Sequence, residues 1–160
     1  LSSIILLYLC DIKNNMALIS ASITHGSYGL TLTDAGGNSM KIDIPVDQGG
    51  NGKGMRPMQT VLAALIGCST VDIVSILKKQ RQEISSFRVD VDGEREKGKE
   101  PSLWETVELK FMIDGTVDAG KAYRAAELSM NKYCSVAETL RKAGANISFT
   151  VVVNGQTYQP

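Results

Sequence analysis

Two cysteines stand in segments that could support thiol chemistry. Cys68 lies near the middle of the apolar segment PMQTVLAALIGCSTVDIV, and Cys134 follows 66 positions later in NKYCSVAETL. The thiolate form of cysteine is a nucleophile and a metal ligand. A free cysteine is nevertheless most often a small buried hydrophobe, so packing remains the alternative for each of these thiols.

The local surroundings of the two thiols differ. Cys134 lies between two predicted helices, and Ser135 with Glu138 forms the capping-box pattern that begins the second helix. The positive end of a helix dipole lowers the pKa of a thiol placed at its N-terminus. Cys68 lies in the third turn of its helix, where Asp72, one turn further on, disfavours a thiolate. Local sequence alone therefore predicts Cys134 as the more reactive thiol.

Cysteine and histidine usage restricts the remaining chemistry. A third cysteine, Cys10, makes the number odd, which does not fit the paired disulfides of a small secreted protein. There is no C-x-x-C motif and His25 is the only histidine, so no zinc site of the usual kind is predicted. We expect His25 to be a surface or turn residue at a strand end. We expect the protein itself to lie in the reducing cytoplasm.

The charge balance excludes some classes of partner. The 17 basic and 17 acidic side chains give a net charge of +0, and 43% of the residues are hydrophobic. This composition is ordinary for a soluble globular protein and creates no field that would attract nucleic acid or an anionic membrane. No stretch reaches about 18 uninterrupted apolar residues, so no membrane-spanning segment is predicted.

The length of 160 residues fits one domain. Residues 1–15, LSSIILLYLCDIKNN, differ in character from the rest, and Met16 would be a natural start for the domain. They also lack the basic start and the small-residue cleavage site of a secretory signal. We therefore predict an N-terminal extension over residues 1–15 and a single domain over residues 16–160.

A long helix is predicted from about residue 58 to residue 80. At about 100° per residue, Asp72, Ser75 and Lys79 fall on the side that carries Cys68. The other sides are apolar, and small residues keep the middle of the helix slim. A helix of this kind belongs at a domain centre or in a subunit interface.

The patterns on either side of this helix predict a mixed fold. Three short alternating segments over residues 17–44 indicate antiparallel strands, and the glycine-rich PVDQGGNGKGMRP after them indicates a loop. Two long alternating segments over residues 85–96 and 104–114 indicate a hairpin, followed by two helices and a final strand. The order βββ-α-ββ-αα-β predicts an α+β fold with helices on one side of an antiparallel sheet.

The motif P-x-x-x-x-L-A-A-L-x-G-C-S around Cys68, followed by DIVSILKKQRQ and then by YCSVAETL around Cys134, resembles the OsmC/Ohr family. These are osmotically inducible and organic hydroperoxide resistance proteins. The resemblance runs from about Met16 to Gln156 and fits the OsmC-like branch whose helix begins P-M-E. It implies an α+β fold with antiparallel sheets and a long central helix. It also implies an intertwined homodimer with two active sites at the interface.

The resemblance also implies a reaction, the thiol-dependent reduction of organic hydroperoxides in oxidative-stress defence. Cys68 would be the peroxidatic thiol, which attacks the peroxide, releases an alcohol and becomes a sulfenic acid. Cys134 would then form a disulfide with it, and a dithiol reductant would regenerate the pair. No metal, haem or flavin is implied. This assignment reverses the order of reactivity that the local sequence predicts.

The chain departs from the family pattern near its activating groups. In the peroxidase branches an acidic residue follows the helix proline and orients an arginine, whereas here Met58 and Gln59 occupy the two places where that acid occurs. Residues 1–55 contain no arginine, and Arg56 is the first in the chain. Arg56 and Gln59 are therefore the candidates to support the catalytic thiol.

A different function is compatible with the same scaffold. A non-catalytic or redox-sensing protein would bind an apolar ligand at the dimer interface, with the cysteines as sensor or packing. The two functions differ in the reactivity of Cys68, because a peroxidase needs a thiolate near neutral pH and a binding protein does not.

Overall fold

The computed structural model describes residues 18–160. The predicted extension over residues 1–15, together with Met16 and Cys10, lies outside the described residues. The chain divides into two compact units, of which the first ends at Thr60 and the second spans Val61–Pro160.

The first unit contains a three-stranded antiparallel sheet with the strand order β1-β2-β3. Its strands are β1 (Ile19–His25), β2 (Gly29–Asp34) and β3 (Ser39–Ile42). The turn between β2 and β3 is tight because the Asp34 carboxylate accepts the backbone N–H of Asn38 at 2.8 Å. The observed strands confirm the three strands that alternation predicts.

A buried carboxylate orders the glycine-rich loop that follows β3. Asp43 is only 1% exposed, and its oxygens accept backbone N–H groups from Ile44 at 2.8 Å, Asn51 at 3.2 Å and Lys53 at 3.1 Å. Burial alone would raise the pKa of the Asp43 carboxyl, but these hydrogen bonds and the nearby His25 ring hold it below its usual value. The segment is therefore an anchored loop.

His25 differs from its predicted surface position. It ends β1 as predicted, but its side chain is only 20% exposed and Nε2 lies 3.5 Å from the Asp43 carboxylate. The position beside a turn at a strand end agrees with the prediction, but the surface position does not, because the buried Asp43 carboxylate lies 18 residues further along the chain and is not visible in the local sequence.

Helix α1 (Pro57–Lys79) is the longest helix of the chain described by the structure, and its bounds agree with the prediction to within one residue. Its buried residues recur every three or four positions, as one helix face requires. They are Leu62, Leu65, Ser69, Ile73 and Leu77.

The same helix corrects the expectation that no segment could span a membrane. Among the described residues, only α1 is long and apolar enough by length and composition, with a mean hydropathy of 2.0 over its best 18 residues. Counting uninterrupted apolar residues missed it, because small polar residues interrupt the run while the mean stays high. Length and composition do not distinguish a span from a core helix, and here Leu65, Ile73 and Leu77 are completely buried in the protein.

The second unit is built on a four-stranded sheet with the order β4-β5-β6-β7. The predicted long hairpin is formed by β4 (Glu83–Arg95) and β5 (Trp104–Thr116). Strand β6 (Asn146–Val153) pairs parallel to β5, and β7 (Gln156–Tyr158) pairs antiparallel to β6. The parallel pair departs from the antiparallel expectation, since the chain crosses back through two helices before it re-enters the sheet.

The crossover consists of α2 (Ala119–Leu128), a π-helical turn (Ser129–Tyr133) and α3 (Ser135–Lys142). The buried positions of α2 are small, which allows a backbone to pack closely; they are Ala122, Ala125 and Ala126. The inward-facing side chains of β5 are large and apolar, and Val107, Phe111 and Ile113 are each at most 1% exposed. This crossover carries Cys134 at the junction between the π turn and α3.

Candidate active site

Two thiols and one carboxylate lie close together within the second unit. The Sγ atoms of Cys68 and Cys134 and a carboxylate oxygen of Asp72 all lie within 4.8 Å of one another. Cys68 and Asp72 come from α1, and Cys134 comes from the crossover. The fold therefore brings together two cysteines that are distant in sequence and adds an acidic group to them.

The helical repeat accounts for the first two members of this cluster. Cys68 and Asp72 are four residues apart, so their side chains lie on the same side of α1 in successive turns. Both are half-buried, next to the fully buried stripe. The wheel prediction that Asp72 lies beside Cys68 is confirmed.

The π turn determines where Cys134 lies. The backbone N–H of Cys134 donates to the carbonyl of Ser129 at 2.9 Å, which closes the wide turn. Cys134 then takes an extended conformation, with φ −71° and ψ 102°, as an N-cap residue does. Its Sγ accepts the backbone N–H of Ala137 at 3.4 Å.

This cap corrects one local prediction. Ser135 is the first residue of α3 and Cys134 is the N-cap, whereas the capping-box pattern placed the cap one residue later. Glu138 pairs with Lys142 at 3.4 Å on the exposed side of α3. The prediction failed because the π turn ends just before Cys134, which takes the extended N-cap conformation, so that Ser135 and Glu138 both lie inside α3.

Burial opposes the activation that the local sequence predicts for Cys134. Cys134 is 3% exposed, and this burial raises the pKa of its thiol from an ordinary 9.0 to about 11. The N–H groups of Ala137 and Val136 at the start of α3 act in the opposite direction, and the neighbouring Cys68 raises the pKa further. The helix N-terminus is present as predicted, but its effect is smaller than that of burial.

A buried hydroxyl fixes the position of the carboxylate. The Ser129 hydroxyl donates to Asp72 Oδ2 at 3.0 Å and lies 3.4 Å from the carbonyl of Ser69. Ser129 is completely buried. Sequence reasoning did not identify Ser129, because no local pattern indicates a contact between residues 57 positions apart. The only available signal was an acidic residue in an otherwise apolar helix segment.

A cavity of about 640 Å³ adjoins the cluster at Asp72. Its size is in the range of small-molecule sites. One part of its wall is apolar, and Lys79 supplies a positive charge. The lining residues are Asp72, Ser75, Ile76, Lys79, Gln80, Leu128 and Tyr133.

Arg56 and Gln59 are brought together at the start of α1. The Gln59 side-chain oxygen accepts the backbone N–H of Arg56 at 3.0 Å, while the Arg56 carbonyl accepts the N–H of Gln59 at 2.9 Å. The bond from Arg56 N–H to the Gln59 side chain is one half of a capping box, with glutamine at the third helical position, and the other bond is made by the Arg56 backbone carbonyl. The geometry gives both residues a structural role at the helix terminus.

Comparisons with known proteins agree with this architecture. Residues 50–150 match the model of a family described as OsmC-like protein. Over 114 residues the chain is 40% identical to protein YhfA of Escherichia coli K12, which covers 70% of this chain and 84% of that protein.

Solved structures show the same fold. A hypothetical protein from Aquifex aeolicus VF5 matches with a TM-score of 0.71 and 27% identity, covering 88% of this chain and 98% of that one. An organic hydroperoxide resistance protein OsmC from Legionella pneumophila, described as a predicted redox protein, matches with a TM-score of 0.65 and 17% identity. That match covers 86% of this chain and 97% of the other. The predicted α+β fold is thereby confirmed.

Proposed function

This chain belongs to the OsmC-like protein family, and we propose that it is a thiol peroxidase that reduces organic hydroperoxides. Family membership and neighbours named for organic hydroperoxide resistance indicate a redox or peroxide-stress role. The observation that carries the finer proposal is the approach of the Cys68 and Cys134 sulfurs to within 4.8 Å.

We assign the first step to Cys68. It is half-buried and reachable, whereas Cys134 is buried and its raised pKa keeps it protonated at neutral pH. The Cys68 thiolate attacks the distal peroxide oxygen, the O–O bond breaks, and the alkoxide takes up a proton and leaves as the alcohol. Cys68 is thereby oxidised to a sulfenic acid.

We assign the second step to Cys134. Its sulfur attacks the Cys68 sulfenic acid, an S–S bond forms and water leaves. A disulfide needs a sulfur–sulfur distance of about 2.05 Å, so the cap turn that holds Cys134 must move towards α1 by no more than about 3 Å. A dithiol reductant then restores both thiols by thiol–disulfide exchange.

The organic group of the substrate is assigned to the cavity beside Asp72. Its apolar wall contains Ile76, Leu128 and the Tyr133 ring, which suit an alkyl or aryl group. Arg56 and Cys68 of one chain are 12 positions apart, about 18 Å at the 1.5 Å rise of a helix, so activation of the thiolate is assigned to Arg56 of a second copy in the homodimer. Gln59 holds the Arg56 backbone at the start of α1. Proteins of this family are commonly dimers, and we extend the proposal to a cytoplasmic homodimer of this chain.

The test counts free thiols after one equivalent of cumene hydroperoxide per cysteine pair. All proteins carry Cys10→Ser, so that only two thiols are counted. We expect loss of both thiols in the parent, no loss in Cys68→Ser, and a trappable sulfenic acid in Cys134→Ser. Serine is a strong N-cap residue, so Cys134→Ser preserves the start of α3. Thiols that stay reduced for hours in the parent would contradict the proposal.

The cavity also favours a second candidate, a non-catalytic or redox-sensing protein that binds an apolar ligand. Its volume of about 640 Å³ would accommodate such a ligand without any reaction at the thiols. A non-catalytic binder predicts inert thiols together with a rise in melting temperature on ligand addition, and the thiol count above separates it from the peroxidase. A redox sensor also predicts thiol loss, and sustained consumption of excess hydroperoxide in the presence of a dithiol separates the peroxidase from it.

A further inference from the structure

The cluster of Cys68, Asp72 and Cys134 has the composition of a metal site as well as of a redox pair. Two sulfurs and one carboxylate oxygen lie within 4.8 Å of one another. Around a tetrahedral Zn²⁺, with Zn–S of about 2.3 Å and Zn–O of about 2.0 Å, such donor atoms would be about 3.5–3.8 Å apart. The two sulfurs and the carboxylate oxygen would need to approach one another only slightly to reach that geometry.

We propose that the reduced protein binds one thiophilic divalent cation, such as Zn²⁺, through Cys68, Cys134 and Asp72, with the thiol protons released to solvent on binding. Two thiolates select zinc-like cations over Mg²⁺ and Ca²⁺, which prefer oxygen ligands. Three protein ligands leave the fourth position to water. Sequence spacing excluded a usual zinc site because the two sulfurs are distant in sequence and no histidine takes part.

The groups around the three ligands support the assignment independently. The buried Ser129 hydroxyl donates to Asp72 Oδ2, which orients the carboxylate and leaves its other oxygen available. The Ala137 N–H donates to Cys134 Sγ, which stabilises negative charge on that sulfur. Such outer contacts hold metal ligands in place and raise metal affinity.

The cavity provides a route to the cluster. Asp72 belongs both to the cluster and to the cavity wall, so a hydrated cation in the cavity meets the carboxylate first. Lys79 on the same wall is a positive charge that opposes entry. Removing its charge in Lys79→Gln is therefore expected to speed binding, whereas removing the Asp72 charge slows and weakens it.

Cation binding and disulfide formation use the same two sulfurs and exclude each other. Oxidation of the loaded site would consume one hydroperoxide and two protons. It would form the S–S bond and release the alcohol, water and the cation. This coupling rests on the proposed function, whereas the binding site itself does not.

The test is calorimetric titration of the reduced protein with Zn²⁺ alone, with Cys10→Ser as the common background. A parallel titration with Cd²⁺ follows the ultraviolet absorbance of the cadmium–thiolate bonds. We expect one cation per chain in the parent and no saturable binding in Cys68→Ser or Cys134→Ser. Asp72→Asn should weaken binding by at least about tenfold, the scale on which even outer-sphere changes act. The asparagine side-chain oxygen in this variant can still accept the hydrogen bond from the Ser129 hydroxyl.

Two controls complete the design. Asp114→Asn changes an exposed carboxylate on β5, outside the cluster, and should bind as the parent does. The parent oxidised to the disulfide with diamide should not bind. No saturable binding by the reduced parent would overturn the proposal, as would equal affinity in Asp72→Asn or in the oxidised form. Because no peroxide is present, a failure to bind Zn²⁺ would not affect the result of the thiol count. A negative thiol count would likewise not affect the result of the Zn²⁺ titration.

Discussion

At the scale of single residues, Cys134 combines a structural contact with the chemical role proposed for it. Its sulfur accepts the Ala137 N–H at the start of α3, and its burial keeps it protonated. A protonated, buried thiol is protected from peroxide until Cys68 has reacted. The same features that make Cys134 a poor first nucleophile suit it to the second step of the proposed cycle.

The raised pKa of Cys134 predicts a loss of stability at alkaline pH. The unfolded chain gives up this proton near pH 9, whereas the folded chain keeps it until about pH 11. The folded state therefore binds more protons across this range, and its stability falls as the pH rises. Two pKa units correspond to about 3 kcal/mol.

Urea unfolding under reducing conditions at intervals from pH 8 to pH 11 measures this loss. Cys134→Ser, which has no thiol to titrate at this position, should lose less stability than the parent over the same range. Identical pH dependence in the two proteins would show that burial does not hold the proton on Cys134.

At the scale of elements, the start of α1 joins helix stability to the proposed activation of Cys68. Gln59 accepts the Arg56 N–H in a capping box, where glutamate is the other common residue. The acid of the P-M-E branch falls at this same place. One position therefore serves the helix cap and, in the proposal, the orientation of Arg56.

Gln59→Glu should stabilise the protein by about 0.3–1 kcal/mol, because it places a negative charge in the first turn of α1. If Arg56 activates Cys68, the same change should speed thiol oxidation by hydroperoxide and Arg56→Gln should slow it. Urea unfolding and stopped-flow thiol oxidation measure the two effects separately. A stability gain with unchanged oxidation rates in both variants would restrict Arg56 and Gln59 to the cap.

The elements that could be predicted are those with local periodicity. Alternating apolar and polar residues predicted strands in both sheets, and the spacing of apolar residues predicted α1. Strand β7 was missed, although Asn154 and Gly155, at φ 49° and 78°, form the Asn-Gly turn typical of a two-residue hairpin. The parallel pairing of β5 with β6 depends on a crossover and has no local signal.

The candidate site was predictable only in part, for the same reason. Cys68 and Asp72 share a helix side by spacing alone, so their proximity follows from the helical repeat. Cys134 and Ser129 approach α1 through tertiary packing of the crossover. The burial that raises the pKa of Cys134 is likewise a tertiary property, so local sequence could not predict it.

At the scale of the whole molecule, α1 presents an apolar stripe that is exposed in the single chain. The stripe consists of Ala64, Gly67, Val71 and Ser75, and Val71 is 67% exposed. An added Cβ at Gly67 would meet nothing within 4 Å. Exposed apolar stripes are typical of interaction surfaces. Since OsmC/Ohr proteins are commonly dimers, we expect a second copy of this chain to cover the stripe.

A charge in this stripe should disrupt the dimer. We expect light scattering to give twice the 17.3 kDa chain mass for the parent and a single chain mass for Val71→Glu. Ser86→Glu, on an exposed position of β4, introduces the same charge elsewhere and should leave the dimer intact. A monomeric parent, or a Val71→Glu protein that stays dimeric, would contradict the assignment of this surface.

The most direct test of the central claim is peptide mapping of the parent chain by mass spectrometry after one equivalent of cumene hydroperoxide. The proposed cycle predicts a disulfide-linked peptide pair containing Cys68 and Cys134, formed rapidly and lost on addition of a dithiol. Unmodified Cys68 and Cys134 peptides after prolonged exposure, or a disulfide that omits either residue, would contradict it.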